Sequence, residues 1–226
     1  MIPGRAFAFS AFIALLVASL ILSEVRPGTA ADFAELPASA EETTPLRAGD
    51  YAPKFSARTV ADEKFDFDPA ALQRPAILIS FRGGWCPYCN MHLSELRNAI
   101  PQIRALGMDV YFLSGDRPEL LHASLSRETQ DDIDGLDYVI LSDANMEAAL
   151  AFGTAFRVNQ QTVDWLNEKG KDVDGSSIRQ YQALAVPSVY VIDTSGEIAY
   201  DYVNADYKIR LSAKKLLEVA ERVGKQ

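Results

Sequence analysis

Cysteine and histidine are scarce in this 226-residue chain, which has two of each, Cys86, Cys89, His92 and His122. A structural disulfide is disfavoured, because a bridge within one helical turn constrains little of the unfolded chain. A structural zinc site would need both histidines as well as both cysteines. Covalent haem attachment requires histidine directly after the second cysteine, where Asn90 stands. The scarcity favours a redox pair, with two inert buried thiols as the alternative.

Positive charge is also in short supply. The chain has 22 Lys and Arg against 31 Asp and Glu, giving a formal net charge of −9. Loss of residues 1–30 would remove Arg5, Arg26 and Glu24, changing the charge from −9 to −10. This balance argues against nucleic acid and anionic lipid as partners. No glycine-rich phosphate loop is present, so we expect no nucleotide, and we expect no other cofactor and no metal.

The N-terminus carries an apolar run, residues 6–22, followed by small residues at 28–31. This pattern predicts a signal peptide over 1–30, cleaved after Ala30 or Ala31, with an uncleaved membrane anchor as the alternative. Either outcome predicts an exported protein, periplasmic or anchored facing outside the cytoplasm, where disulfides persist. Residues 31–45 have the composition of a flexible linker, and one domain is expected over 46–226.

Both cysteines lie at a predicted strand-to-helix turn. The apolar run 77–81 predicts a buried strand, and Gly83 and Gly84 end it. Pro87 suits the first helical position, which puts Cys86 at the N-cap, where unpaired amides and the helix dipole favour a thiolate. Cys89 follows one turn later on the same face, close enough to join Cys86 in a reversible disulfide.

Strands and helices alternate along the rest of the chain. Predicted strands cover 64–67, 110–113, 138–141, 189–192 and 197–203. Predicted helices cover 87–106 with a kink at Pro101, 118–125, 145–152 and 211–219. Residues 154–184 interrupt the alternation and are interpreted as an insertion. The order predicts an α/β fold whose sheet has a parallel core and ends in an antiparallel pair.

This order, with Trp85 and the cysteine pair after the first core strand, resembles the thioredoxin fold. Residues 49–55, 141–143 with 151–153, and 187–193 resemble the alkyl hydroperoxide reductase/thiol-specific antioxidant (AhpC/TSA) family. Residues 82–89, and 203–207 with Arg210, resemble its peroxiredoxin-like branch. The resemblance covers about residues 46–220. It implies a mixed central sheet with flanking helices, a peroxiredoxin-type N-terminal extension and an insertion before a strand that follows a cis-proline.

The resemblance also implies roles for individual residues. Cys86 would be the attacking cysteine, Cys89 its resolving partner and Pro187 the cis-proline facing their disulfide. Two neighbours of the pair are supporting candidates. Arg82 could stabilise the thiolate or be a solvated turn residue, and Trp85 is expected to shield one side of the disulfide from water.

The chain departs from the peroxiredoxin motif at two positions. Gly83 stands where that motif has threonine or serine, and Ile79 stands where it has proline. The hydroxyl that would orient a peroxide is missing, which leaves Arg82 and backbone amides near Gly84 for that task. The tetrapeptide Cys-Pro-Tyr-Cys is also that of glutaredoxins, which exchange disulfides.

Two mechanisms therefore start from a Cys86 thiolate. A thiol-dependent peroxidase would reduce hydrogen peroxide or alkyl hydroperoxides and be regenerated by a thioredoxin-like or glutathione reductant. A thiol–disulfide oxidoreductase would act on protein or glutathione disulfides. A binding module without turnover is a third class, which the intact cysteine pair disfavours. His92, on the motif helix, is a candidate proton donor or a polar residue of the helix face.

Overall fold

The computed structural model describes residues 33–224, and strands alternate with helices along this part of the chain. The strands are β1 (Phe55–Arg58), β2 (Lys64–Phe67), β3 (Ala76–Phe81), β4 (Asp109–Ser114), β5 (Val139–Ser142), β6 (Ala155–Arg157), β7 (Ala183–Ala185), β8 (Ser188–Ile192) and β9 (Ile198–Val203). The helices are α1 (Pro87–Leu96), α2 (Ile100–Ala105), α3 (Leu120–Ala123), α4 (Arg127–Ile133), α5 (Glu147–Ala151), α6 (Gln160–Glu168), α7 (Ser177–Gln180) and α8 (Ala213–Val223). Single 3-10 turns span Ala40–Glu42 and Pro69–Ala71.

Seven strands form one mixed sheet in the order β2-β1-β5-β4-β3-β8-β9. The core strands β3, β4 and β5 are parallel, while β8 runs antiparallel to β3 and forms a hairpin with β9. The predicted parallel core and antiparallel end are therefore confirmed. Parallel neighbours end at the same edge of a sheet, and Phe81 at the end of β3 is paired with Ser114 at the end of β4. The loops after β3 and β4 consequently meet.

Strand β3 is buried on both faces because five of its six residues are fully covered and four are aliphatic. Ile77 and Ile79 pack into one hydrophobic cluster with α1, α2 and α8, whereas Leu78 packs into a second cluster with α5. Helices cover both faces of the sheet, as expected for a parallel core. The strand that leads into the cysteine motif is thus held by the core on both of its faces.

The predicted helix over 87–106 is divided in two. Helix α1 ends at Leu96, and α2 starts at Ile100 with Pro101 in its first turn. Proline lacks the amide hydrogen that a continuous helix would use, so the chain breaks ahead of it rather than bending through it. The expected helix over 118–125 is present but shorter, as α3, and α4 follows it as a separate helix beyond that range.

Residues 33–45, predicted to be a flexible linker, pack against the domain. The Phe33 ring stacks on Tyr181 with centroids 4.0 Å apart. Arg157 donates a side-chain hydrogen bond of 2.7 Å to the Phe33 carbonyl, and its backbone N–H donates to the Pro37 carbonyl at 2.8 Å. The segment has too few apolar residues to form a core of its own, but it finds partners on β6 and near β7.

The interruption at 154–184 forms a small unit of its own. Strands β6 and β7 pair antiparallel in a separate two-stranded sheet, and α6 and α7 lie between them in sequence. Helix α6 buries Val163 and Leu166 and leaves Trp165 49% exposed. This unit stands beside the cysteine motif and contributes to its surroundings.

The expectation of a cis bond between Val186 and Pro187 was wrong, because no peptide bond within residues 33–224 is cis. The Val186 N–H donates to the Thr154 carbonyl at 2.9 Å, which extends the β6–β7 pairing up to the proline. The chain then passes in an extended course from β7 into β8. A trans bond suits this extended course and is the intrinsically favoured form of an X–Pro bond.

None of the helices within residues 33–224 has the length and apolar character needed to cross a membrane. The signal peptide or anchor predicted over residues 1–30 lies outside the described residues.

Candidate active site

The cysteine motif occupies the turn between β3 and α1, as predicted. Cys86 is the N-cap of α1, with Pro87 in the first helical position. The Cys86 N–H donates to the Gly83 carbonyl at 3.1 Å, and the Cys86 carbonyl accepts from the N–H of Cys89 at 3.0 Å. Both sulfurs therefore lie at the positive end of the helix dipole, where a thiolate is stabilised.

Asn90 holds this turn from within α1. Its side-chain amide donates to the Gly84 carbonyl at 2.7 Å and to the Cys86 carbonyl at 3.0 Å. Its Oδ1 accepts from the Ser126 N–H at 2.7 Å, at the start of α4. A buried side chain that satisfies three backbone groups fixes the loop as well as the helix, because each broken bond would leave a polar group unsatisfied.

Asp116 supports the same turn from the neighbouring loop after β4. Its carboxylate accepts from the Gly84 N–H at 2.7 Å and from the Ser124 hydroxyl at 2.9 Å. The residue has no exposed surface, and burial raises the pKa of this carboxyl. The Gly84 amide is thus already occupied, so the expectation that it orients a peroxide is not supported by this geometry.

The two glycines of the motif are required by close packing. Gly83 has φ +150°, and a Cβ built there would overlap the indole nitrogen of Trp85 and lie 2.7 Å from Asp116 Oδ1. A Cβ on Gly84 would overlap the Ser124 hydroxyl and lie 2.6 Å from the Leu125 nitrogen. This packing explains why a glycine replaces the hydroxyl residue of the peroxiredoxin motif.

We expect Gly83→Ser to destabilise the fold by about 2 to 5 kcal/mol, since it adds backbone strain to overlap with buried groups. Gly107→Ser is a matched control, because Gly107 also has positive φ, +80°, but no atom of residues 33–224 outside its own chain neighbours lies within 4 Å of its Cβ position. That control should lose only about 1 to 2 kcal/mol. Urea unfolding of both variants measures the difference. Equal losses would show that the overlap with Trp85 and Asp116 is not the cause.

Cys86 and Cys89 are both free thiols and both buried, with 1% and 0% of their surface exposed. A hydrogen bond from the Cys89 thiol, aided by the charges of Arg82 and Arg210, lowers the pKa of Cys86 to about 6, although burial opposes the shift. Burial raises the pKa of Cys89. The two environments therefore favour the thiolate at Cys86 and the protonated thiol at Cys89.

Arg210 contacts the buried sulfur of Cys89 directly. Its Nη2 donates to Cys89 Sγ at 3.4 Å, and its charge favours the thiolate at both cysteines. Arg210 lies 121 positions from Cys89 in the sequence, in the loop before α8. Only the fold brings it to the site.

Two residues of α1 hold the loop that carries Arg210. His92 Nε2 lies 3.0 Å from the Leu211 carbonyl, and the Glu95 carboxylate accepts from the Ala213 N–H at 2.9 Å. His92 is 4% exposed, so the expectation of a polar residue on the helix face was wrong. Burial lowers its pKa to about 4, which keeps the ring neutral and its Nε2 a donor to the carbonyl.

Arg82 lies between aromatic rings at the other side of the motif. Its guanidinium carbon is 4.3 Å from the Tyr207 ring centroid and 5.2 Å from that of Trp85. The Tyr207 ring also meets Tyr88 edge-on, with centroids 5.7 Å apart. The Arg82 Nε has no hydrogen-bond partner among residues 33–224. Stacking between the two rings holds the guanidinium plane in one orientation.

Four of the five residues singled out from the sequence surround one turn, namely Cys86, Cys89, Arg82 and Trp85. Pro187 is buried and lines a separate cavity of about 320 Å³ whose wall also includes Arg82 and Tyr207. It therefore borders the site through Arg82.

Sequence reasoning assigned no role to Asn90 and Asp116, and it noted Arg210 only as part of a family resemblance. A signal for Asp116 did exist, because it follows a predicted strand parallel to the one before the motif, and such strands end at a common edge. The bonds of Asn90 and Arg210 depend on loops far along the chain and leave no local pattern.

Comparisons with known proteins agree with this geometry. The model of the AhpC/TSA family matches residues 48–201. Peroxiredoxin Bcp of Escherichia coli strain K12 is 30% identical over 109 residues, 48% of this chain and 65% of the relative, so the match spans less than two thirds of that protein.

Solved structures show the same fold. A peroxiredoxin-like protein from Aquifex aeolicus has a TM-score of 0.57 at 16% identity, covering 80% of this chain and 89% of that chain. A yeast mitochondrial 1-Cys peroxiredoxin, whose thiol is resolved via glutathione/thioredoxin systems, has a TM-score of 0.52 at 18% identity, covering 78% and 75%. The predicted thioredoxin-like architecture is confirmed.

Proposed function

Because this chain belongs to the AhpC/TSA family, we propose that it is a thiol-dependent peroxidase acting on hydrogen peroxide or alkyl hydroperoxides. The observation that carries the proposal is a Cys86 thiol whose pKa is lowered to about 6 at the start of a helix, next to a protonated Cys89. At neutral pH, Cys86 is then mostly thiolate, the form that attacks a peroxide.

The reaction proceeds in three balanced steps. The Cys86 thiolate attacks one oxygen of the O–O bond, which breaks; the other oxygen leaves as an alkoxide or hydroxide and takes up a proton, while Cys86 becomes a sulfenic acid. The Cys89 sulfur then displaces water and forms the Cys86–Cys89 disulfide. An external thiol reductant, thioredoxin-like or glutathione, supplies two electrons and two protons to restore both thiols.

The peroxide needs hydrogen-bond donors at the attacked bond. The Gly84 amide is bound to Asp116, and position 83 has no hydroxyl. The Arg82 guanidinium is the donor we assign, because it is held between Trp85 and Tyr207 and its charge acts on Cys86. In the transition state it would stabilise negative charge developing on the leaving oxygen.

Disulfide exchange is the second candidate, favoured by the Cys-Pro-Tyr-Cys sequence and by Gly83. Stopped-flow mixing of the reduced protein with hydrogen peroxide, cumene hydroperoxide and oxidised glutathione separates the two. We expect both peroxides to react with the reduced protein at least about a hundredfold faster than with free cysteine. The reason is that the Cys86 thiolate is already formed and the Arg82 guanidinium is positioned as a hydrogen-bond donor. Peroxide rates equal to that of free cysteine, with rapid reduction of oxidised glutathione, would replace peroxidase by exchange.

We further propose that the domain works outside the cytoplasm. The support is the apolar run at 6–22 and the small residues before Asp32. The N-terminal residue of the protein recovered from cell envelopes decides between cleavage near residue 31 and an uncleaved anchor.

A further inference from the structure

A groove of about 950 Å³ runs beside α1. Trp85 and Pro87, the residues on either side of Cys86, line one end of it, and Arg210, which contacts Cys89, lines its wall. Sites for small molecules commonly occupy about 300 to 1,000 Å³. The groove is therefore large enough for a small molecule and lies directly next to the redox pair.

The groove is positive although the chain carries a net charge of −9. Four cations line it, Arg97, Lys171, Lys208 and Arg210, against two carboxylates, Glu95 and Glu128. The local charge is thus four minus two, or +2, with His92 neutral. An anion is attracted to this groove and repelled by most of the remaining surface.

Three of these cations, Lys171, Lys208 and Arg210, form no ion pair with a carboxylate among residues 33–224. Arg97 lies 3.5 Å from Asp132, but neither Lys171 nor Lys208 forms an ion pair within the described part of the chain. Lys171 follows α6 in the inserted unit, and Lys208 precedes α8. Two separate segments thus each place an exposed, unpaired ammonium group at the groove. In addition, the buried Nε of Arg210 has no hydrogen-bond partner among residues 33–224.

We infer that this groove binds a small anionic thiol, of which glutathione is the type, and that this thiol reduces the Cys86–Cys89 disulfide. The inference rests on the proposed function and names its reductant. A small thiol suits the site because both cysteines are recessed, with 1% and 0% exposure.

The chemistry balances with two thiols per cycle. The first thiolate attacks Cys86 Sγ, the S–S bond breaks, and Cys89 leaves as a thiolate beside the Arg210 guanidinium before taking up a proton. A second thiol then attacks the mixed disulfide, releasing the Cys86 thiolate and an oxidised dimer of the small thiol. Arg210 therefore acts on the leaving sulfur, while the lysines attract the reductant.

A series of thiols that differ in charge tests the inference. The oxidised protein is mixed with 2-mercaptoethanesulfonate, 2-mercaptoethanol or cysteamine, which are anionic, neutral and cationic, and with glutathione. The rate of disulfide reduction is expressed per thiolate, at low and high salt. We expect the anionic thiols to react about tenfold faster than the neutral one and the cationic thiol to be slowest, with the differences shrinking in salt.

The double variant Lys171→Glu/Lys208→Glu should lower the rate with 2-mercaptoethanesulfonate and glutathione about tenfold or more and favour cysteamine. Lys64→Glu is the control, since β2 lies four strands from β3 and hence about 19 Å away, beyond the Debye length. An unchanged order of thiols in the double variant, or no preference in the wild type, overturns the inference. Disulfide reduction is measured without peroxide, so a failure of peroxidase activity would be seen separately.

Discussion

Replacing Cys86 by serine is expected to abolish peroxide reduction, with a loss of at least about a thousandfold in rate. The hydroxyl of serine does not ionise near neutral pH, so it cannot replace the thiolate of Cys86, whose thiol has a pKa of about 6. Disulfide exchange would be lost with it, because both reactions begin at the same sulfur. Peroxide consumption and reduction of oxidised glutathione measure the two losses.

Replacing Cys89 by serine should have a different effect. The first step needs only Cys86, so one equivalent of peroxide per chain should still be consumed. Without a resolving thiol, the sulfenic acid should accumulate and be trapped by dimedone, and turnover should stop unless an external thiol resolves it. Mass spectrometry of the peptide that contains Cys86 detects the adduct.

The Cys89→Ser variant also separates the two candidate functions. An exchange enzyme would react slowly with peroxide and would accumulate a stable mixed disulfide between Cys86 and its substrate. Serine at position 89 also changes the hydrogen bond that does most to lower the pKa of Cys86, because a hydroxyl takes the place of the donating thiol. The single turnover should therefore be assayed at pH 8 as well as pH 7, so that incomplete ionisation of Cys86 is not mistaken for a lack of reactivity.

The arrangement of the redox pair was predictable because all its determinants are local. A β-branched run, two glycines and a proline place the cysteines at a strand-to-helix turn, whatever surrounds them. The alternation of strands and helices along the sequence similarly predicted the parallel core of the sheet. Breaks in helices near Pro101 were less predictable, since spacing alone does not distinguish a bend from an interruption.

Features that depend on distant segments were missed. Residues 33–45 have the composition of a linker, but Phe33 finds Tyr181 in another unit. Pro187 was taken as cis by resemblance, whereas the pairing of β6 with β7 sets an extended course through a trans bond. His92 carries a polar side chain, but the Leu211 carbonyl that it binds lies 119 positions away. In each case the partner, rather than the residue itself, decides the structure.

The pH dependence of the first step should follow the ionisation of Cys86. With a pKa of about 6, the thiolate is present above pH 6 and is lost as the pH falls through this value. We expect the rate with hydrogen peroxide to be nearly constant from pH 7 to 9 and to be roughly tenfold lower at pH 5 than at pH 7. Thiolate absorbance at 240 nm, followed in parallel, should titrate at the same pH.

Replacing Arg210 by glutamine should move this profile to higher pH. The variant removes a cation that favours the thiolate at both cysteines and lies 3.4 Å from Cys89 Sγ. Loss of this charge raises the pKa of Cys86, so the rate should fall more at pH 7 than at pH 9, where the thiol is ionised in both proteins. Arg222→Gln is the control, because it removes the same charge from the exposed end of α8. If Arg210→Gln instead lowers the rate equally at pH 7 and pH 9, Arg210 acts on the peroxide or on the fold and not on the ionisation of Cys86.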